Sequence, residues 1–176
     1  HHVEQVRDRL TARGPRARPS REAVLVHATH NHQGPDTMGL WGLPPIMSGI
    51  DDEYQTFILD SLVRAAEQAI AALAPARLRW GQMQAPEQGI SRNKRDPQLI
   101  DRTVTALGLD RPDGTAVATL VHFACHPESL GSKNRLISAD FPFGVYAETE
   151  AARQGSVTVF LNGPVGGMVT THEADE

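Results

Sequence analysis

A single cysteine, Cys125, in 176 residues excludes any internal disulfide. One thiol fits a cytosolic protein and is equally compatible with a secreted one. No apolar run approaches the ~20 residues of a membrane span, and no basic, apolar and small-residue signal segment opens the chain. Neither sign of charge dominates: 17 Lys and Arg stand against 21 Asp and Glu, for a net charge of -4. That balance offers no basic face for nucleic acid. The one local basic excess, residues 13–21, is interrupted by Gly14, Pro15 and Pro19 and reads as a solvated loop. Internal repeats and low-complexity segments are also missing. The first residues already read as a helix with no initiator methionine, so the expectation is a portion of a longer chain, in which a missing signal segment excludes little.

What is present has the make-up of an ordinary globular domain: 40% hydrophobic and 22% charged residues over 176 positions. The whole of 1–176 is read as one domain. Val3, Val6 and Leu10 recur at helical spacing, closed near Gly14. The apolar, β-branched run 23–28 predicts a strand that empties into the polar turn 29–36. Residues 38–49 carry three glycines and two prolines and read as an irregular loop; its Trp41 and Leu43 are candidates to shape an apolar pocket. Asp51 or Asp52 can cap a long helix whose face runs Tyr54, Phe57, Ile58, Leu62, Ala65, Ala66, Ala69, Ile70, Leu73, ending before Pro75. A strand over 78–83 and a loop over 85–97 follow. Strands over 103–109 and 116–124 are joined by the turn Arg111-Pro112-Asp113-Gly114, which forces an antiparallel pair. A helix over 143–153 and a strand over 157–161 complete the pattern. The order predicts an α/β fold, a layered mixed sheet flanked by helices.

Three predicted strands end in polar loops marked by glycine or proline, at His30, at His126 and at Asn162. Strand ends are where side chains of an α/β sheet converge without entering the core. His30 and His32 form a His-x-His pair. In extended backbone, residues two apart point to one side, so both imidazoles can face one ion; a surface turn with hydrogen-bonded histidines is the plainer alternative. His126 sits in a matching place before Pro127. His27 and His122 lie inside strands and read as core or sheet-face residues, whereas His1, His2 and His172 lie near the termini. Asp140 is either a carboxylate that orients a histidine or a helix cap. Arg92, in a loop, is a candidate clamp for a carbonyl or carboxylate. Glu128 can be a ligand, a general base or a surface charge. No Gly-x-Ser-x-Gly elbow is present, and Cys125 reads as buried and inert. Metal-activated water is therefore the expected nucleophile.

Two motifs carry a resemblance. Ala28-Thr29-His30-Asn31-His32-Gln33-Gly34-Pro35 is one, and Phe123-Ala124-Cys125-His126-Pro127-Glu128-Ser129-Leu130, followed by Asn134-Arg135-Leu136-Ile137-Ser138-Ala139-Asp140, is the other. With the weaker Ile90-Ser91-Arg92-Asn93 and Asn162-Gly163, they resemble the N-terminal domain of the neutral/alkaline non-lysosomal ceramidases, in that family's order, from Ala23 to Gly167. The resemblance implies a zinc-dependent hydrolase of C–N amide bonds acting on N-acyl-sphingosine or another small or lipid-like N-acyl substrate. It implies Zn2+ ligation by His30 and His126, with His32 as the neighbouring active-site histidine and Arg92 contacting substrate; Asp140, as the carboxylate that orients a histidine, is counted with these two as a candidate catalytic residue. It further implies later glutamate and tyrosine ligands, and a secreted or periplasmic location. The family's Gly-Asp-Val-Ser-Pro segment reads Gly163-Pro164-Val165-Gly166-Gly167 here, without its aspartate and serine. A substrate other than ceramide, a non-catalytic ligand-binding scaffold and a metal-dependent esterase are the alternatives this departure leaves open.

Overall fold

The computed structural model describes residues 2–12, 19–42, 47–87 and 89–170. Where the sequence predicts one domain, the chain forms two compact units, His1–His27 with Pro35–Ala74, and Ala28–Gly34 with Pro75–Glu176. Gly14, Leu43, His1, His172 and most of the basic stretch lie outside the described residues.

The first unit is helical. α1 (His2–Thr11) buries Val6 and Leu10 against Val24 and against Val63 of α2 (Asp52–Ala71), with Val26, Leu59 and Ala66 packed around them. Of the two candidate caps, Asp51 is the one used: its carboxylate accepts the Tyr54 N–H at 2.9 Å. The buried stripe of α2 differs from the predicted one. Gln55 and Val63 are its buried positions, whereas Phe57 and Leu62 face outward. The helix is rotated by roughly one position because α1 and Val24 occupy that side. Gln55, though polar, donates from Nε2 to the Thr37 carbonyl at 3.2 Å.

The strand predicted over 23–28 does not form. A 3-10 turn at Arg21–Ala23 precedes extended backbone at Val24, and no neighbouring strand pairs with this segment among the described residues. The Val24 carbonyl accepts instead from Arg7 Nε at 3.0 Å. β-Branched composition favours extended backbone, but only a partner makes it a strand. Arg21, in the stretch read as solvated, pairs with Glu4 and Asp8 of α1.

The second unit is the α/β part. β1 (Arg77–Gln84), β3 (Thr103–Asp110), β4 (Ala116–Phe123) and β5 (Val157–Asn162) form a sheet in the order β1-β3-β4-β5. The first two pairings are antiparallel and the last is parallel. α3 (Pro142–Ala152) supplies the crossover that a parallel pair requires. At the predicted turn, Gly114 adopts φ +91°, its N–H donates to the Arg111 carbonyl, and Asp113 accepts the Thr115 N–H. A second, two-stranded sheet pairs β2 (Ser91–Asn93) with β6 (Met168–Thr170). Neither strand is foreseen in the sequence, and β2 lies inside the predicted loop 85–97. Three residues are too few to show a period.

α3 packs on one sheet face through a cluster of Phe123, Cys125 and Phe160 with Phe141, Val145 and Tyr146. The Phe141 and Phe160 rings meet edge-on at 5.4 Å. Along β5 the pleat therefore buries Thr158, Phe160 and Asn162 and leaves Val157 exposed. That alternation delivers Asn162, at the strand end, to the buried side.

Candidate metal centre

β4 ends at Phe123, and the next two residues, Ala124 and Cys125, stay fully enclosed before the chain emerges at half-buried His126. Met168 fixes this histidine twice. Its carbonyl accepts the His126 backbone N–H at 3.2 Å, and His126 Nδ1 lies 2.5 Å from the same oxygen. A carbonyl only accepts, so Nδ1 carries the proton and Nε2 keeps the lone pair a metal needs.

His30 and His32 arrive on Ala28–Gly34, a segment of the second unit that interrupts the first along the chain. The predicted alternation along an extended strand is not what brings them together. His30 adopts φ +62°, one of only two non-glycine residues in the left-handed region among those described. The turn is held by two outside contacts and one of its own: the His32 N–H donates to the Pro127 carbonyl at 3.1 Å and Asn31 Nδ2 to the Ser138 carbonyl at 2.7 Å, while within the turn the Gln33 N–H donates to Asn31 Oδ1. Backbone in this region costs on the order of 1–3 kcal/mol and persists only where surroundings enforce it.

The result is a triangle of imidazoles. Ring centroids lie 5.2 Å apart for His30 and His32, 4.7 Å for His30 and His126, and 5.3 Å for His32 and His126. One nitrogen from each ring falls within 4.8 Å of the other two. His30 reaches the surface, yet its pKa lies below the usual imidazole range. Partial desolvation is the main cause, followed by the neighbouring His126 and His32, with Glu128 opposing. A lowered pKa keeps the ring neutral, the form that ligates.

Asn162 is the residue that sequence reasoning left without a role. Its Nδ2 donates to the Thr29 carbonyl at 2.9 Å, and its Oδ1 accepts the Cys125 N–H at 3.3 Å. Thr29 immediately precedes His30, and Cys125 immediately precedes His126. One buried amide thus ties together the two backbones that carry the histidines. Its place at the third strand end and the weak Asn162-Gly163 match were the signals for it. Gly163, next along, sits close against its neighbours: a Cβ there would stand 3.0 Å from the Ala124 Cβ and from His122 Nε2, so a larger residue would have to push them aside.

The remaining candidates divide. Glu128 Oε2 lies 3.4 Å from His32 Nδ1, a histidine partner that none of its three sequence readings named. Asp140 does not orient an imidazole. Its carboxylate accepts from Ser129 Oγ at 2.5 Å, from the Leu130 N–H at 3.1 Å and from the Phe141 N–H at 2.7 Å, so it clamps the loop after His126. Arg92 stands in β2 rather than a loop, in register with Val169, one position from the Met168 that holds His126. Cys125 is 1% exposed and burial pushes its thiol up to about 12, with Glu128 and Asp140 adding to the shift, as its inert reading requires. His27 is exposed, not in a core or sheet face, and His122 does lie in β4.

With this geometry in view, the likenesses are specific. The pattern of the neutral/alkaline non-lysosomal ceramidase N-terminal family matches residues 3–169. The neutral ceramidase of Pseudomonas aeruginosa is 27% identical over 128 residues, covering 66% of this chain and 19% of the relative. That of Mycobacterium tuberculosis is 30% identical over 134 residues, covering 69% and 21%. This chain therefore spans about a fifth of the length of these relatives. The crystal structure of the Pseudomonas aeruginosa neutral ceramidase superposes with a TM-score of 0.79 at 24% identity, covering 96% of this chain and 29% of that one, which shows a shared fold. The α/β architecture, the two histidine motifs and the match over residues 3–169 agree, and the chain belongs to the neutral/alkaline non-lysosomal ceramidase family, in its N-terminal part.

Proposed function

We propose that this chain carries a metal-binding part of a zinc-dependent hydrolase of C–N amide bonds, acting on a lipid-like N-acyl substrate such as N-acyl-sphingosine. The single observation that carries the reading is the meeting of three imidazoles from two distant segments. His30 and His126 are the zinc ligands of the proposal. The donor set fits: imidazole nitrogen suits zinc, and the His126 Nδ1–H already donates to a carbonyl, which leaves Nε2 free. When bound, zinc polarises an amide carbonyl and lowers the pKa of water toward ~7.

The chain's own residues supply the rest. His32 is placed to carry a proton between water and the leaving amine. Arg92 stabilises negative charge developing on the carbonyl oxygen. Asp140 holds the loop that bears His126 and Glu128. Neither Gly166 nor Cys125 competes with water as a nucleophile: Gly166 has no side chain, and Cys125 is buried with its thiol protonated. Gly166 also favours N-acyl substrates beyond ceramide, since the resemblance puts a serine at this place. Release of free amine from a panel of N-acyl substrates tests the reading. The expected result is zinc-dependent release that His30→Ala abolishes; ester cleavage without amide cleavage would move the chain to the esterases, and neither would leave a binding scaffold.

A further inference from the structure

The His32 ring, like that of His126, is held from behind. Its Nδ1 faces Glu128 Oε2 at 3.4 Å, and the Glu128 side chain is only 26% exposed. An ionised carboxylate accepts hydrogen bonds and donates none, so it draws the single proton of a neutral imidazole to Nδ1 and leaves the lone pair on Nε2. The backbone around Glu128 is fixed in turn. Its N–H donates to the His126 carbonyl at 3.0 Å, and its carbonyl accepts the Gly131 N–H at 3.0 Å. Beyond it, the buried Asp140 carboxylate accepts from Ser129 and Leu130. Asp140 sits at φ +58°, the second left-handed non-glycine residue described.

From this arrangement we infer that Glu128 is a positioning residue of the centre. It selects the His32 tautomer and aims Nε2 toward the space shared with His30 and His126, while Asp140 keeps the loop carrying Glu128 in register. The inference takes its purpose from the metal reading above, but its geometry stands without any ion. Whether His32 carries a proton or binds an ion, it needs a free lone pair on the inward nitrogen. The carboxylate–imidazole pair secures that, as the Met168 carbonyl does for His126.

Long-range 1H–15N correlation of the histidine rings in zinc-free, 15N-labelled chain, at a pH where imidazoles are neutral, reads the tautomers directly. The expected wild-type result is the Nδ1–H form for both His32 and His126. In Glu128→Ala, His32 is expected to shift largely to the Nε2–H form while the His126 signal stays unchanged. Asp140→Asn is expected to produce the same shift of His32 to a smaller extent. An Nε2–H form of His32 in the wild type overturns the inference without any variant. An unchanged His32 in Glu128→Ala does so too. Equal changes at His32 and His126 also overturn it, because Glu128 would then be holding the loop rather than the ring. A chain that binds no zinc refutes the metal reading and leaves this readout untouched.

Discussion

A carbonyl oxygen cannot donate a hydrogen bond, and that asymmetry decides which nitrogen of His126 is available. At the scale of single residues the centre is a set of such enforced choices. Asn162 makes two of them, and its removal is the sharpest structural test. In Asn162→Ala the Cys125 N–H and the Thr29 carbonyl lose their partner in a buried setting. Denaturant unfolding is expected to show a loss of about 1–3 kcal/mol; a change indistinguishable from zero would mean that water replaces the amide. Cys125 gives a pH signature. Its folded value, about 12, lies above the ordinary thiol value of 9.0. The folded state then holds the proton more tightly, so this stabilisation is complete below about 9 and disappears as pH rises from there toward about 12. Alkylation of Cys125 is accordingly expected to be slow in folded protein and fast once the chain is unfolded. Equal rates would contradict the burial. The histidine motifs were legible in the sequence because each is a short local string. The role of Asn162 was not, since its partners lie 133 and 37 positions away.

At the scale of elements, the sequence showed what has a period and hid what does not. β1, β3, β4, β5 and the three α-helices appear within about two residues of the predicted spans, because six or more residues of apolar run, alternation or helical spacing leave a visible pattern. β2 and β6, three residues each, do not. The predicted strand over 23–28 failed for the opposite reason: its composition was right, but pairing is a tertiary event. The sheet face under α3 makes a quantitative claim. Phe160 is 2% exposed and meets the Phe141 ring edge-on. Phe160→Ala is expected to cost about 3–5 kcal/mol, whereas Val157→Ala, three positions earlier and 63% exposed, should stay within about 0.5 kcal/mol. Similar losses for the two would contradict the orientation of β5.

At the scale of the whole molecule, two compact units share one continuous chain, and the candidate centre lies wholly within the second. The short Ala28–Gly34 segment joins the later β-rich part, not the helical one that surrounds it in sequence. That explains how His30 and His32 meet His126 from 96 and 94 positions away by numbering (126 − 30 and 126 − 32). Among the described residues no helix is long and apolar enough to cross a membrane. The account as a whole stands on zinc. Metal analysis of the purified wild-type chain beside His30→Ala and His126→Ala tests it most directly, with thermal unfolding run in parallel, since an ion that binds only the folded state raises stability by about 2.7 kcal/mol at a hundred times its Kd. The expected result is about one zinc per wild-type chain, a higher melting temperature with zinc, and loss of both in each variant. Zinc content unchanged by either substitution would contradict the centre itself.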